Sequence, residues 1–209
     1  MTLVTSEFRV SSVQDRRQTD ILEAVHGTFV EKGFDGASMQ DLARAAGMSV
    51  GNFYRYFESK EAIIEALIAY DIARIEQDFA AIIVSGRPME ALREAIRKHV
   101  EETSCNRDGR LWAEITAQAV RRARVADVLS RMEEQIRRYL LDVFGKVTGR
   151  APAEAEARYA GHAALVVMLV KASAMCAPTR GTPVAELNAL VLRTIMRTLD
   201  DVETDAMKG

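Results

Sequence analysis

The stretch SMQDLARAAGMSVGNFYRYFESK, residues 38–60, decides the fold. Ser38 to Asp41 is a Ser-x-x-Asp helix start, with an acid in the first turn where the helix dipole favours it. The helix it opens is short: Leu42, Ala43 and Ala46 carry its apolar side, and Gly47 stops it at a position where a left-handed backbone angle suits only glycine. Ser49 is placed to cap a second helix, Val50 to about Tyr56, and Ser59 a third. Ala43 and Gly47 are small where two crossing helices must approach, and Phe53 fills the space between them. Two short helices joined by a glycine turn in this way form a helix-turn-helix. Phe53 and Phe57 read as core.

Upstream, Ile21, Leu22, Val25, Phe29 and Val30 recur at helical spacing, so a first amphipathic helix is expected from Arg16 to about Lys32, ended by Gly33. Residues 1–14 are rich in Ser and Thr and poor in apolar periodicity, and read as a flexible arm. Downstream, Ile63, Ile64, Leu67, Ile68, Ile75 and Phe79 predict a long helix from Ser59 to Val84. Further stripes follow: Leu92, Ile96, His99 and Val100, opened by Pro88 in a first helical turn; Leu111 to Arg122; and Val125 to Phe144. Gly149 and Pro152 mark a break, and two last helices are expected, Glu154 to Cys176 and Val184 to Val202. The reading is all-α, about nine helices, in three parts: the arm 1–14, a helix-turn-helix domain 15–60, and a larger helical domain 61–209.

The segment from Ile21 to Leu67 resembles the DNA-binding domain of the tetracycline-repressor (TetR/AcrR) family. The resemblance is carried by Phe29-Val-Glu-Lys-Gly-Phe34 and by Ala37-Ser-Met-Gln-Asp-Leu-Ala-Arg-Ala-Ala-Gly-Met-Ser-Val-Gly-Asn-Phe-Tyr-Arg-Tyr-Phe-Glu-Ser-Lys60. Many members have His at the place of Tyr56 and Asn or Asp at that of Ser59; both changes keep a hydrogen-bonding group. The resemblance covers under a quarter of the chain. It implies a homodimeric transcription regulator, most simply a repressor, which binds a double-stranded DNA operator and responds to a small-molecule effector.

Val50, Gly51 and Asn52 open the second short helix, where side chains meet base edges in the major groove. Asn52 suits a bidentate contact to adenine, Val50 a thymine methyl, and Gly51 a close approach. The family places phosphate contacts at Tyr54, Tyr56 and Lys60. Ser38, Arg44 and Arg55 are further phosphate candidates, although Ser38 and Ser49 also read as plain helix caps and Arg55 as a surface charge. Residues 1–60 hold seven Lys/Arg (9, 16, 17, 32, 44, 55, 60) and eight Asp/Glu (7, 15, 20, 23, 31, 35, 41, 58). Affinity resting on few phosphate contacts has a shallow salt dependence.

The resemblance implies an effector pocket among the middle helices. Phe79, His99, Thr103, Trp112, Ile115, Met132, Ile136, Tyr139 and Met168 are the candidate lining, and suit a largely apolar ligand. Glu102, Glu114 and Gln118 are candidates to orient a polar group. Each of these, taken singly, reads first as ordinary packing. The last two helices are the dimer candidates. The expected mechanism is a population shift in which ligand favours a state with the Ser59–Val84 helix swung, altering the spacing of the two recognition helices from about 34–36 Å, one turn of DNA.

Composition narrows the alternatives. Hydrophobic residues are 48% and charged residues 28% of the 209, a globular balance, and the net charge is −2, so no bulk basicity announces a nucleic acid. No GxSxG, HExxH, phosphate loop or dinucleotide fingerprint is present, which argues against an enzyme. Cys105 and Cys176 are isolated and the three histidines scattered, so no cofactor and no metal site are expected. The apolar run Ala163–Met175 is too short to span a bilayer and holds Lys171; with no basic-then-apolar leader, a cytoplasmic location without a membrane partner is expected. Two rivals stay open: a helical ligand-binding module without DNA binding, and a helix-turn-helix activator.

Overall fold

A computed structural model describes residues 4–103, 107–175 and 183–207, the side chains of 4–16, 103, 107 and 108 excepted. The described residues form nine helices and no strand: α1 (Val4–Gly36), α2 (Met39–Ala45), α3 (Val50–Tyr54), α4 (Lys60–Val84), α5 (Pro88–Thr103), α6 (Arg107–Ala119), α7 (Ala123–Thr148), α8 (Pro152–Ala174) and α9 (Val184–Ala206).

The termini of these helices follow from local chemistry. Ser38 accepts from the Asp41 amide while the Asp41 carboxylate accepts from the Ser38 amide, a complete capping box. Ser49 and Ser59 accept from the amides of Asn52 and Ala62. Gly47 takes φ +64° in the turn, and Gly149 closes α7 at φ +68°. Pro152 sits in the first turn of α8.

Several boundaries differ from expectation, three of them for a local physical reason. The first helix begins at Val4, so helical backbone occupies most of the expected arm. No Pro or Gly interrupts residues 4–16, and extending an existing helix costs far less than starting one. Gly33 breaks this helix at φ +70°, ψ 168°, but one further turn follows before Ser38. Helix α6 stops at Ala119, because Arg122 takes an extended conformation and opens α7.

Two cores fill the molecule. The first gathers Ile21, Leu22, Val25, Phe29 and Phe34 of α1, Leu42 and Ala43 of α2, Phe53 of α3, Phe57, and Ile63 to Ile68 of α4. Leu111 and Ile115 of α6 and Val125, Leu129 and Met132 of α7 belong to the same cluster. The boundary expected at residue 60 therefore runs through a packed core: the short helices alone cannot bury enough apolar surface, and α4, α6 and α7 close them off. The second core joins the far end of α4 to α5, α7, α8 and α9, around Leu140, Val143, Phe144, Tyr159 and Leu199. No helix among the described residues is long and apolar enough to cross a membrane, and none of the described His, Cys, Asp and Glu residues cluster as a metal site. Cys105 and Cys176 lie outside the described residues.

Candidate nucleic-acid interface

Helix α3 is held from behind. Phe53 is fully buried and packs on Phe57 with ring centroids 5.7 Å apart; Ala43 of α2, equally buried, gives them room. This leaves Gly51, Asn52, Tyr54 and Arg55 exposed on the outer side. Val50 is half-buried against the core, so only part of it is offered outward. A Cβ built on Gly51 meets nothing within 4 Å, so the chain itself does not require glycine there. Tyr54 is 50% exposed, a wet position for an aromatic ring, whereas Tyr56 is half-buried. The Arg44 side chain is 73% exposed, its nearest acid Asp41 at 3.5 Å. Arg55 makes no ion pair among the described residues.

Two expected phosphate ligands are engaged elsewhere. The Ser38 hydroxyl donates to Asp41 at 2.6 Å besides capping α2. Lys60 folds inward: its Nζ donates to the carbonyls of Phe34 (2.6 Å), Ala37 (3.0 Å) and Asp35 (3.4 Å), and lies 4.8 Å from the centre of the Phe34 ring. The end of α1 at Gly36 leaves these carbonyls without helical donors, and a lysine at the start of α4 satisfies them. The hydrogen bond from Lys32, with that from Ser38, holds the Asp41 carboxyl well below the usual carboxylate range.

The middle helices enclose a cavity of about 210 Å³. Of the expected lining, Phe79, His99, Trp112, Met132 and Ile136 are there. Ile115 is not: it is buried in the first core. Tyr139 lies behind Phe79, stacked on it at 5.3 Å, its hydroxyl taken by Gln135. Met168 is 59% exposed, because Val166, Val167, Val170 and Lys171 form the cavity side of α8 and Met168 falls on the other. The Thr103 side chain lies outside the described residues. Sequence reasoning missed Thr116 and the Glu133–Lys171 ion pair on the wall. The helical phase of α6 places Thr116 one turn after Trp112, a signal available in the sequence; a pair between α7 and α8 leaves none.

Glu114 and Gln118 do not face the cavity. Glu114 accepts from the Phe34 amide at 3.0 Å, and the buried Gln118 donates to Asp35 at 3.4 Å. Glu102 is exposed and does not line the cavity.

The comparisons match this geometry. The model of the bacterial regulatory proteins of the tetR family matches residues 21–67, from the first core residue of α1 into α4. Residues 21–67 are thus similar to the bacterial regulatory proteins of the tetR family. The transcriptional regulator UidR of Escherichia coli K12 is 34% identical over 112 residues, 54% of this chain and 56% of UidR. The regulator EthR of Mycolicibacterium smegmatis is 37% identical over 84 residues, 39% of each chain. The chain thus spans about half the length of UidR, and less of EthR. Among solved structures, Salmonella enterica GusR superposes with a TM-score of 0.67 at 23% identity, over 90% of this chain and 96% of GusR. AibR, solved in complex with isovaleryl coenzyme A and operator DNA, gives 0.61 at 16% identity, over 86% and 97%. These two show that the chain shares their fold over most of its length.

Proposed function

We propose that this protein is a DNA-binding transcriptional regulator of the tetR family, a homodimeric repressor released from a palindromic operator by a small, largely apolar effector. The observation that carries the reading is the outer edge of α3: Gly51, Asn52, Tyr54 and Arg55 stand exposed on a helix whose other side is locked into the core. Base contacts are assigned to Val50, Gly51 and Asn52, and phosphate contacts to Arg44, Tyr54, Arg55 and Tyr56. Ser38 and Lys60 act on the fold, as the cap of α2 and the ligand of the α1 carbonyls.

The dimer uses α8 and α9. Ala157, Gly161, Ala164, Met168 and Ala172 form an exposed row of small and apolar residues along α8, and Leu190 on α9 is 47% exposed. In one chain this surface is open; a second copy related by a two-fold axis covers it and sets the spacing of the two α3 helices. The effector takes the cavity, whose deep wall is Ile82, Leu92, Ile96, Leu140 and Val166. AibR, whose structure holds isovaleryl coenzyme A together with operator DNA, supports a regulator that binds both a small molecule and DNA, and leaves release to be tested.

Selection of bound duplexes from a random DNA pool tests the function. A palindromic consensus is expected. A folded dimer that enriches no sequence overturns the reading in favour of a ligand-binding module without DNA.

A further inference from the structure

Helix α6 has two working faces. Trp112 and Thr116, one turn apart, line the cavity. Glu114 and Gln118, one turn apart on another face, hold the end of α1. Arg122 follows where α6 gives way to α7, which also lines the cavity. Its guanidinium donates to Glu61 at 2.6 Å, Asp35 at 3.1 Å and Gln118 at 2.9 Å, and lies 4.9 Å from the centre of the Phe34 ring. One side chain thus clamps the start of α4, the last turn of α1 and the end of α6.

The other side of this clamp is the backbone break at Gly33. A non-helical residue leaves the following amide without its helical acceptor, and a buried or half-buried amide without an acceptor is costly. Glu114, on α6, supplies that acceptor to Phe34. The carbonyls beside it are taken by Lys60. The turn between α1 and α2 is therefore completed by α6 and α4 in addition to its own bonds, the Ala37 amide to the Gly33 carbonyl and the Ser38–Asp41 capping box.

We infer that Glu114 and Arg122, both outside the family-matched residues 21–67, are positioning residues of the helix-turn-helix, and that they link its orientation to occupancy of the cavity through α6. A molecule that displaces Trp112 or Thr116 shifts the same rigid helix that carries Glu114, Gln118 and the Arg122 joint. The Phe34 amide and the Asp35 carboxylate then lose ideal partners, and the end of α1 relaxes. This rests on the proposed regulatory function for its biological meaning, but the linkage is measurable without DNA.

The test is hydrogen exchange of the backbone amides of residues 33–38. The cavity is filled from helices other than α6, by Ala95→Phe on α5 and independently by Val170→Phe on α8. Each is also combined with Arg122→Gln. Filling is expected to change exchange at 33–38 by at least about fivefold, the low end of couplings between sites. With Gln at 122 the added effect of filling disappears. Unaltered exchange in both folded fillers, or the same change with and without Arg122, overturns the inference.

A second readout uses Trp112, the single tryptophan of the chain. Coupling is reciprocal, so saturation with the selected duplex shifts Trp112 emission in the wild-type protein but not in Arg122→Gln. A bound duplex that leaves Trp112 emission unaltered counts against the inference. Absence of duplex binding by anisotropy is instead a failure of the proposed function, and the exchange experiment still decides the linkage.

Discussion

Gly51 and Gly33 are both glycines near the helix-turn-helix, and the structure gives them opposite reasons. Gly51 lies in α3 with open space where a Cβ would go. Alanine there raises helix propensity by about 1 kcal/mol, so Gly51→Ala keeps or raises the thermal midpoint. If the base edge must approach this backbone, the same change weakens operator binding; calorimetry and anisotropy on one protein read both. Gly33 has φ +70° and ψ 168°, and its Cβ would meet Glu114 Oε2 at 3.4 Å. Gly33→Ala is expected to cost about 1–3 kcal/mol of stability, the usual cost of forcing a side chain into that region, measured by urea denaturation. The turn role of Gly33 was readable from its place after an apolar stripe. Its contact with Glu114, far away in the sequence, was not, because no local pattern marks a carboxylate that serves a distant amide.

At the scale of elements, the helix ends were the most legible feature. Ser38, Ser49, Ser59, Gly47, Gly149 and Pro152 all act where the sequence places them, since caps depend on neighbours within three or four residues. Ser49→Ala removes the acceptor for the Asn52 amide and is expected to cost about 1 kcal/mol. A loss of that size in denaturation, with operator affinity lowered as α3 frays, is the outcome to look for. The pocket was legible only in part. The family resemblance put Phe79, Trp112, Met132 and Ile136 among the pocket candidates and they do line the cavity, but it could not say which side of α8 turns inward, so Met168 was misassigned. The partners of Lys60 were hidden for a related reason: a lysine at a helix start suits phosphate in general, and only the fold reveals the three carbonyls to which it donates here.

Across the whole molecule, carboxylates tie the parts together. Hydrogen bonds hold four of them below their ordinary values: to Asp35 chiefly from Gln118 and then Arg122, to Asp41 from Lys32 and Ser38, to Glu134 from Arg137, and to Asp205 from Arg158 and Tyr159. A depressed carboxylate stabilises the fold above its unfolded value, 3.8 for Asp and 4.5 for Glu, and that contribution is lost as pH falls through the folded value. The thermal midpoint is therefore expected to be flat from pH 7 to about 5 and to drop below pH 4. A midpoint that rises on acidification contradicts these assignments. The apolar row on α8 and α9 makes a separate demand. Met168→Arg with Leu190→Arg buries two charges from each protomer in the proposed interface, and sedimentation is expected to show monomer where the wild type is a dimer.

The binding of DNA through α3 is tested most directly by fluorescence anisotropy of the selected duplex with wild-type protein and with Asn52→Ala. Asn52 is exposed at the start of α3, and its removal leaves the buried residues of the helix in place. Loss of a bidentate base contact is expected to weaken binding by about 1–3 kcal/mol, roughly a factor of five to a hundred and fifty, with the preference for adenine relaxed at one symmetric pair of positions. Equal affinity and an unaltered sequence preference would place the reading surface elsewhere on the molecule.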